Sequence, residues 1–256
     1  LLPKGYSPYN ENDRKIIATT NGKKKVKEEV QRDGRLYAGE QERIIRALSG
    51  FQREDRSRAL PLAGGNALLT MFLLIVYSGL RLREAYTLTR GQIDMADKVI
   101  RVQSTKQWRG KIKFRDVPMR PEVHQALTVY LSTRSMLPTA RLFPFMEEEP
   151  DMSLKKVSQR LSARFRIAFQ YANCFDLREH DLRHEATCRW LELRDASGNW
   201  MFRLEEVNRI MGWAAGSTMA QRYASFRGSE LAARLWATVG ESAPAGPAQG
   251  GAGLAH

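Results

Sequence analysis

Residues 178–190 read REHDLRHEATCRW, placing two histidines and two arginines within about two helical turns. His180, His184 and Cys188 recur at i, i+4 and i+8, so a helix would put them on one face, with Cys174 shortly before. Those four are residue types that a tetrahedral zinc ion accepts. His180 and Arg183, three apart, could instead form a cationic pair that grips a phosphate. Further groups with chemical potential stand elsewhere: Arg81 with Glu84 one turn on in SGLRLREAYTL, Lys106 in STKQWRGKIKFRDVPM, and Trp213 followed by Tyr223 in IMGWAAGSTMAQRYAS.

The elements that must position these groups follow from periodicity. Apolar residues recur at helical spacing over 39–49 and 66–77, where Ser78 and Gly79 read as a stop. REAYTLT (83–89) reads as a short helix. Alternation with β-branched residues marks strands over 98–103 and 112–119, joined by a polar basic turn that contains Lys106. Further helices are expected over 121–134, 153–172, 180–194, 203–211, 217–225 and 229–238. The fold class is mainly α with a small antiparallel β-sheet (α+β).

Residues 1–35 are polar and lysine-rich and read as a basic linker. A Gly/Pro-rich tail over 241–256 reads as disordered, leaving 36–240 as one domain. In all, 41 basic residues against 28 acidic ones give a net charge of +13, which favours a polyanionic partner and nucleic acid above all. The longest apolar run, ALLTMFLLIVY, is about half of the roughly 20 residues that a membrane-spanning helix needs. Two cysteines are too few for a disulfide scaffold, as expected of a cytoplasmic protein.

Taken in order, the stretches bearing Arg81–Glu84, Lys106, His180–Arg183, Trp213 and Tyr223 resemble the catalytic domain of the tyrosine recombinase (phage-integrase-like) family. The resemblance covers roughly 36–238. Each motif alone is weak, whereas the ordered set is specific. Attack on a DNA phosphodiester builds negative charge on two non-bridging oxygens, and arginine, permanently charged and planar, suits it. A neutral tyrosine needs proton removal to become a nucleophile, and a deoxyribose 5′-oxygen needs a proton to leave. The resemblance implies that Tyr223 forms a 3′-phosphotyrosyl link and that Arg81 and Arg183 clamp the phosphate. Lys106 is implied as general acid, and His180 as an aid to proton transfer from the tyrosine. Trp213 stands where the family usually has His and sometimes Trp, and its indole N–H can donate to a phosphate oxygen. Glu84 matches an acidic position that orients arginine. The phosphate then accounts for His180 and Arg183, His184 packs nearby, and Cys174 and Cys188 become small buried thiols. No metal or other cofactor is expected.

The activity implied is site-specific recombination of double-stranded DNA through a Holliday junction, independent of metal and ATP. It would proceed on a homo-tetramer joined by the apolar stripe of a C-terminal helix that begins at Ser229 and carries Leu231, Leu235 and Val239. Two intervals depart from the family. Arg183 to Trp213 is long, through an insertion at RDASGNWMF, and Trp213 to Tyr223 looks one residue long. The family's N-terminal DNA-clamping domain is not recognisable, and residues 1–35 resemble its exit linker. The alternatives are a type IB topoisomerase, revealed by relaxation of plasmids that lack recombination sites, and a DNA-binding module with a dead active site.

Overall fold

The apolar run at 67–77 builds the helix around which its neighbours pack. In the computed structural model, which describes residues 15–18, 25–28, 34–61, 65–104, 113–146, 152–214 and 216–222, this helix is α2 (Gly65–Ser78). Leu68, Met71, Phe72, Leu74, Ile75 and Val76 are all essentially inaccessible, so α2 is apolar around most of its circumference and buried. Burial of each such side chain contributes about 1.5–3 kcal/mol. No described helix is long and apolar enough to cross a membrane.

Amphipathic helices surround α2. The helix α1 (Glu40–Leu48) buries Ile44, Ala47 and Leu48, and α4 (Pro121–Ser132) starts on a proline suited to the first helical position. Between them in sequence, α3 (Leu82–Tyr86) is shorter than the expected 83–89. Thr87 Oγ1 bonds back to the Arg83 carbonyl (2.7 Å), and Thr89 opens a separate 3-10 turn over Arg90–Gln92. The helix α5 (Leu154–Tyr171) buries Val157, Leu161, Phe165, Ala168 and Phe169 while exposing Lys155, Lys156, Arg160 and Arg166. Helices α6 (Glu179–Glu192) and α7 (Leu204–Met211) follow, with α6 against α2 and α7 against α6.

The sheet has three antiparallel strands in the order β3 (Ile93–Asp94), β4 (Val99–Gln103) and β5 (Phe114–Pro118). Ile100 pairs with Val117 and both are buried, as the alternation of β4 requires. The strand β3 is an addition to the expected pair, since two residues are too few to show a period. Upstream, within the stretch expected to be linker, β1 (Lys15–Ala18) pairs antiparallel with β2 (Lys25–Glu28).

One expected helix does not form over its described part. No α-helix runs through 217–222. Gly216 takes a left-handed φ of 75°, and only a 3-10 turn forms, over Ala220–Arg222. The Ser217 carbonyl, which a helix would offer to residue 221, accepts instead from Asn208 Nδ2 (2.8 Å). Lys106 with its expected turn, Tyr223, the expected helix 229–238 and the tail 241–256 lie outside the described residues.

Candidate active site

Arg183, on the second turn of α6, is 94% buried yet charged, so its position must be defined by acceptors. It donates through Nη1 to the carbonyl of Gly79 and through Nη2 to the carbonyl of Met211. Gly79 follows the last residue of α2, and Met211 is the last residue of α7. Carbonyls at helix carboxyl ends lack intrahelical partners and carry the negative end of the dipole. Two such ends therefore converge on one guanidinium. Gly79 has φ 73°, a conformation that calls for glycine, and a Cβ there would lie 2.6 Å from the Met211 sulfur, so that side chain would have to shift.

Arg81 stands two residues beyond Gly79, at the N-cap of α3. Its backbone N–H donates to Glu84 Oε2 (2.9 Å) and its Nη1 to Glu84 Oε1 (2.9 Å), while a third of its side chain stays exposed. The pair fixes the start of the helix in the manner of a capping box. A second arginine shares the carboxylate. Arg115 on β5 reaches Oε1 (3.1 Å) and Oε2 (2.8 Å), and its Nε donates to the Ile210 carbonyl (2.9 Å). Burial would raise the Glu84 carboxyl, but the hydrogen bond and charge of Arg115, with the backbone N–H and charge of Arg81, hold it below the ordinary carboxylate range. The trio of Arg81, Arg115 and Glu84 keeps one net positive charge.

Trp213 is placed by the end of α7. Gly212 adopts a left-handed φ of 68° and donates to Arg209 O (3.1 Å), and the Trp213 N–H donates to Asn208 O (2.9 Å). This is a Schellman stop, readable from glycine after an amphipathic run. It sets the half-buried indole with its ring centroid 5.7 Å from the Arg183 guanidinium carbon. His180 is exposed in the first turn of α6, one turn before Arg183. Its neighbour Glu179 accepts from Ser162 Oγ (3.3 Å), and burial raises the Glu179 carboxyl against the opposing charge of His180. The structure thus brings Arg81, Glu84, Arg183 and Trp213 together, with His180 on the same helix as Arg183. At the edges of the described chain, Ser104 N–H donates to Lys113 O (2.8 Å) on either side of residues 105–112, which include Lys106, and the 3-10 turn ends immediately before Tyr223.

The four residues considered for zinc have other surroundings. Cys174 and Cys188 are both buried, and burial pushes the Cys188 thiol up to about 11, the behaviour of an inert thiol. His184 faces Gly34, where an added Cβ would lie 2.2 Å from Nδ1. Among the described residues no three His, Cys, Asp or Glu side chains gather as a metal site.

Two residues escaped the sequence reading. Arg115 shares a strand face with buried Val117, two positions on, and an inward arginine demands an acceptor. That signal was present in KFRDVPM. Asn208 gave none: its side-chain bond to Ser217 O depends on how the chain returns after Gly216.

The phage integrase family is matched over residues 35–229. No curated protein matches the chain. Among solved structures, the chain is similar to XerA recombinase, with TM-score 0.52 and 21% identity over 80% of this chain and 63% of that one. It is also similar to the Tn1549 transposon integrase in complex with transposon right end DNA, with TM-score 0.53 and 17% identity over 83% of this chain and 68% of that one. XerH recombinase bound to palindromic difH substrate gives TM-score 0.51 and 15% identity, covering 80% of this chain and 53% of that one. At these identities the likeness is one of fold.

Proposed function

The chain belongs to the phage integrase family, and from that premise we propose that it is a site-specific DNA recombinase that acts through a phosphotyrosine. The observation that carries the reading is the buried Arg183 guanidinium, fixed by two helix-end carbonyls beside Arg81 and Trp213. Rigid cationic donors are what a phosphodiester needs as charge develops on its non-bridging oxygens.

In this reading the Tyr223 oxygen attacks phosphorus, a new P–O bond forms to the phenol, and the bond from phosphorus to the 5′-oxygen breaks. The phenol proton passes towards His180, and Lys106 gives a proton to the departing 5′-oxygen. Arg81 and Arg183 stabilise the pentacoordinate phosphorus, and the Trp213 N–H donates to one of its oxygens. Reversal of the same step by a 5′-hydroxyl from the other duplex rejoins the strands and passes through a Holliday junction. The arginines supply the charge a metal would bring, and the phosphotyrosine conserves the bond, so neither metal nor ATP enters. The partner is a double-stranded recombination site, engaged by a homo-tetramer in the cytoplasm, with the helix over 229–239 joining subunits.

The test is covalent attachment. A nicked substrate that loses its 5′-hydroxyl fragment traps the intermediate, so wild-type protein should give a denaturation-resistant adduct. Tyr223→Phe should abolish it while DNA affinity stays within a few-fold, since affinity comes from many phosphate contacts. An adduct that persists in the Phe variant would move the nucleophile elsewhere.

A further inference from the structure

We propose that Arg115 is a positioning residue for this reaction: it takes up the Glu84 carboxylate so that Arg81 remains available to phosphate, and it ties β5 to the turn that bears Trp213. The inference rests on the reading of Arg81 and Trp213 as phosphate ligands.

All three guanidinium nitrogens of Arg115 are bonded to protein acceptors, two on Glu84 and one on Ile210 O. Its side chain is 10% exposed, and its guanidinium holds Glu84 on α3 and the Ile210 carbonyl on α7. The Glu84 side chain is fully buried and needs a cationic partner. Arg115 covers both carboxylate oxygens in a fork geometry, whereas Arg81 contributes one side-chain bond, to Oε1. Without Arg115, the buried carboxylate would draw the Arg81 guanidinium into full pairing and cancel the charge it presents to phosphate.

The same side chain reaches across to the other half of the site. Gly212 lies directly over it, where a Cβ would be 3.0 Å from Cδ, Nε and Cζ of Arg115. The residue after Gly212 is Trp213. The strand that carries Arg115 begins at Phe114, eight residues after Lys106 in sequence. One arginine therefore keeps the strand after the general acid in register with Arg81 through Glu84 and with Trp213 through Ile210 O.

Lysine could not substitute. Its single ammonium cannot span both Glu84 oxygens and the Ile210 carbonyl at once.

Four variants of the full chain, R115M, R115K, E84Q and E84Q/R115M, are compared in single-turnover adduct formation on the nicked substrate. DNA half-saturation and thermal unfolding are measured alongside. R115M should slow adduct formation by about 10²-fold, the usual cost of losing one preorganised donor, with DNA half-saturation within a few-fold. E84Q/R115M should be at least about tenfold faster than R115M, because removing the carboxylate releases Arg81; a residue that only supports the fold would not show this reversal. R115K keeps the charge and carries the test should R115M fail to fold: it should unfold normally yet react at least about tenfold slowly. R115K at wild-type rate, or a double variant no faster than R115M, would overturn the proposal. Wild-type protein that forms no Tyr223-dependent adduct would instead sink the recombinase reading itself, before any Arg115 variant is compared.

Discussion

Glu185 shows what a single residue contributes on the helix that carries His180 and Arg183. Its side chain is 4% exposed, and its oxygens accept from Arg35 Nε (2.8 Å), Leu36 N–H (3.1 Å) and Arg189 Nε (2.7 Å). Burial would raise its carboxyl, but the bond and charge of Arg189, with Leu36 N–H and the charge of Arg35, bring it below the ordinary 4.5. A carboxyl depressed on folding stabilises the native state fully above its unfolded value and loses that contribution as pH falls through the folded value. Glu185→Gln should therefore cost about 3 kcal/mol at neutral pH, the scale of a broken buried pair. The gap from wild type should close only below pH 4.5. Denaturant unfolding from pH 7 to 3 measures it, and a gap independent of pH would show that folding leaves the Glu185 carboxyl unshifted.

Among the elements, the ends of α2 and α7 matter more than their middles, because Gly79 O and Met211 O jointly hold Arg183. Gly79→Ala adds left-handed strain of about 1–2 kcal/mol and a methyl that meets Met211. Gly50 supplies an internal control: its φ is 78° but nothing lies within 4 Å of a Cβ there. Both alanine variants should lower the melting temperature, by about 2–8 °C from strain alone. Only Gly79→Ala should also slow adduct formation per folded molecule, by about tenfold or more, through displaced acceptors. Equal rates in the two variants would mean that the convergence of helix ends does not set the position of Arg183.

For the whole molecule, a net charge of +13 suits it to a polyanion, and α5 exposes Lys155, Lys156, Arg160 and Arg166 opposite its buried face. Assembly on DNA is a separate matter from binding it. The stripe of Leu231, Leu235 and Val239 belongs to a segment beyond the described residues, and its burial would be worth about 1.5–3 kcal/mol per side chain. If that stripe docks on a neighbouring subunit, truncation after Ser225 should preserve binding to one site and weaken synapsis of two, as read by native gel shift. A truncated chain with normal synapsis but a lower melting temperature would instead place the stripe on its own domain.

What the amino-acid sequence determined by itself is the local part of this protein. The alternation of β4, the apolar faces of α1, α5 and α7, and the glycine stops at Gly79 and Gly212 are each written within a few residues, because helix and strand periods are local. The order of the motifs from Arg81 to Tyr223 was legible for the same reason, and it identified the family. Where the chain diverged, non-local partners decided. The Ser217 carbonyl bonds to Asn208, nine residues back, so the segment before Tyr223 turns rather than winds into the helix expected over 217–225. Only the tertiary structure assigned acceptors to the buried cations. Arg183 finds Gly79 at 104 residues' separation and Met211 at 28, and Arg115 finds Ile210 at 95. A sequence can show that a buried arginine needs carbonyls and carboxylates, but which ones it meets depends on how the helix ends and strands pack in three dimensions.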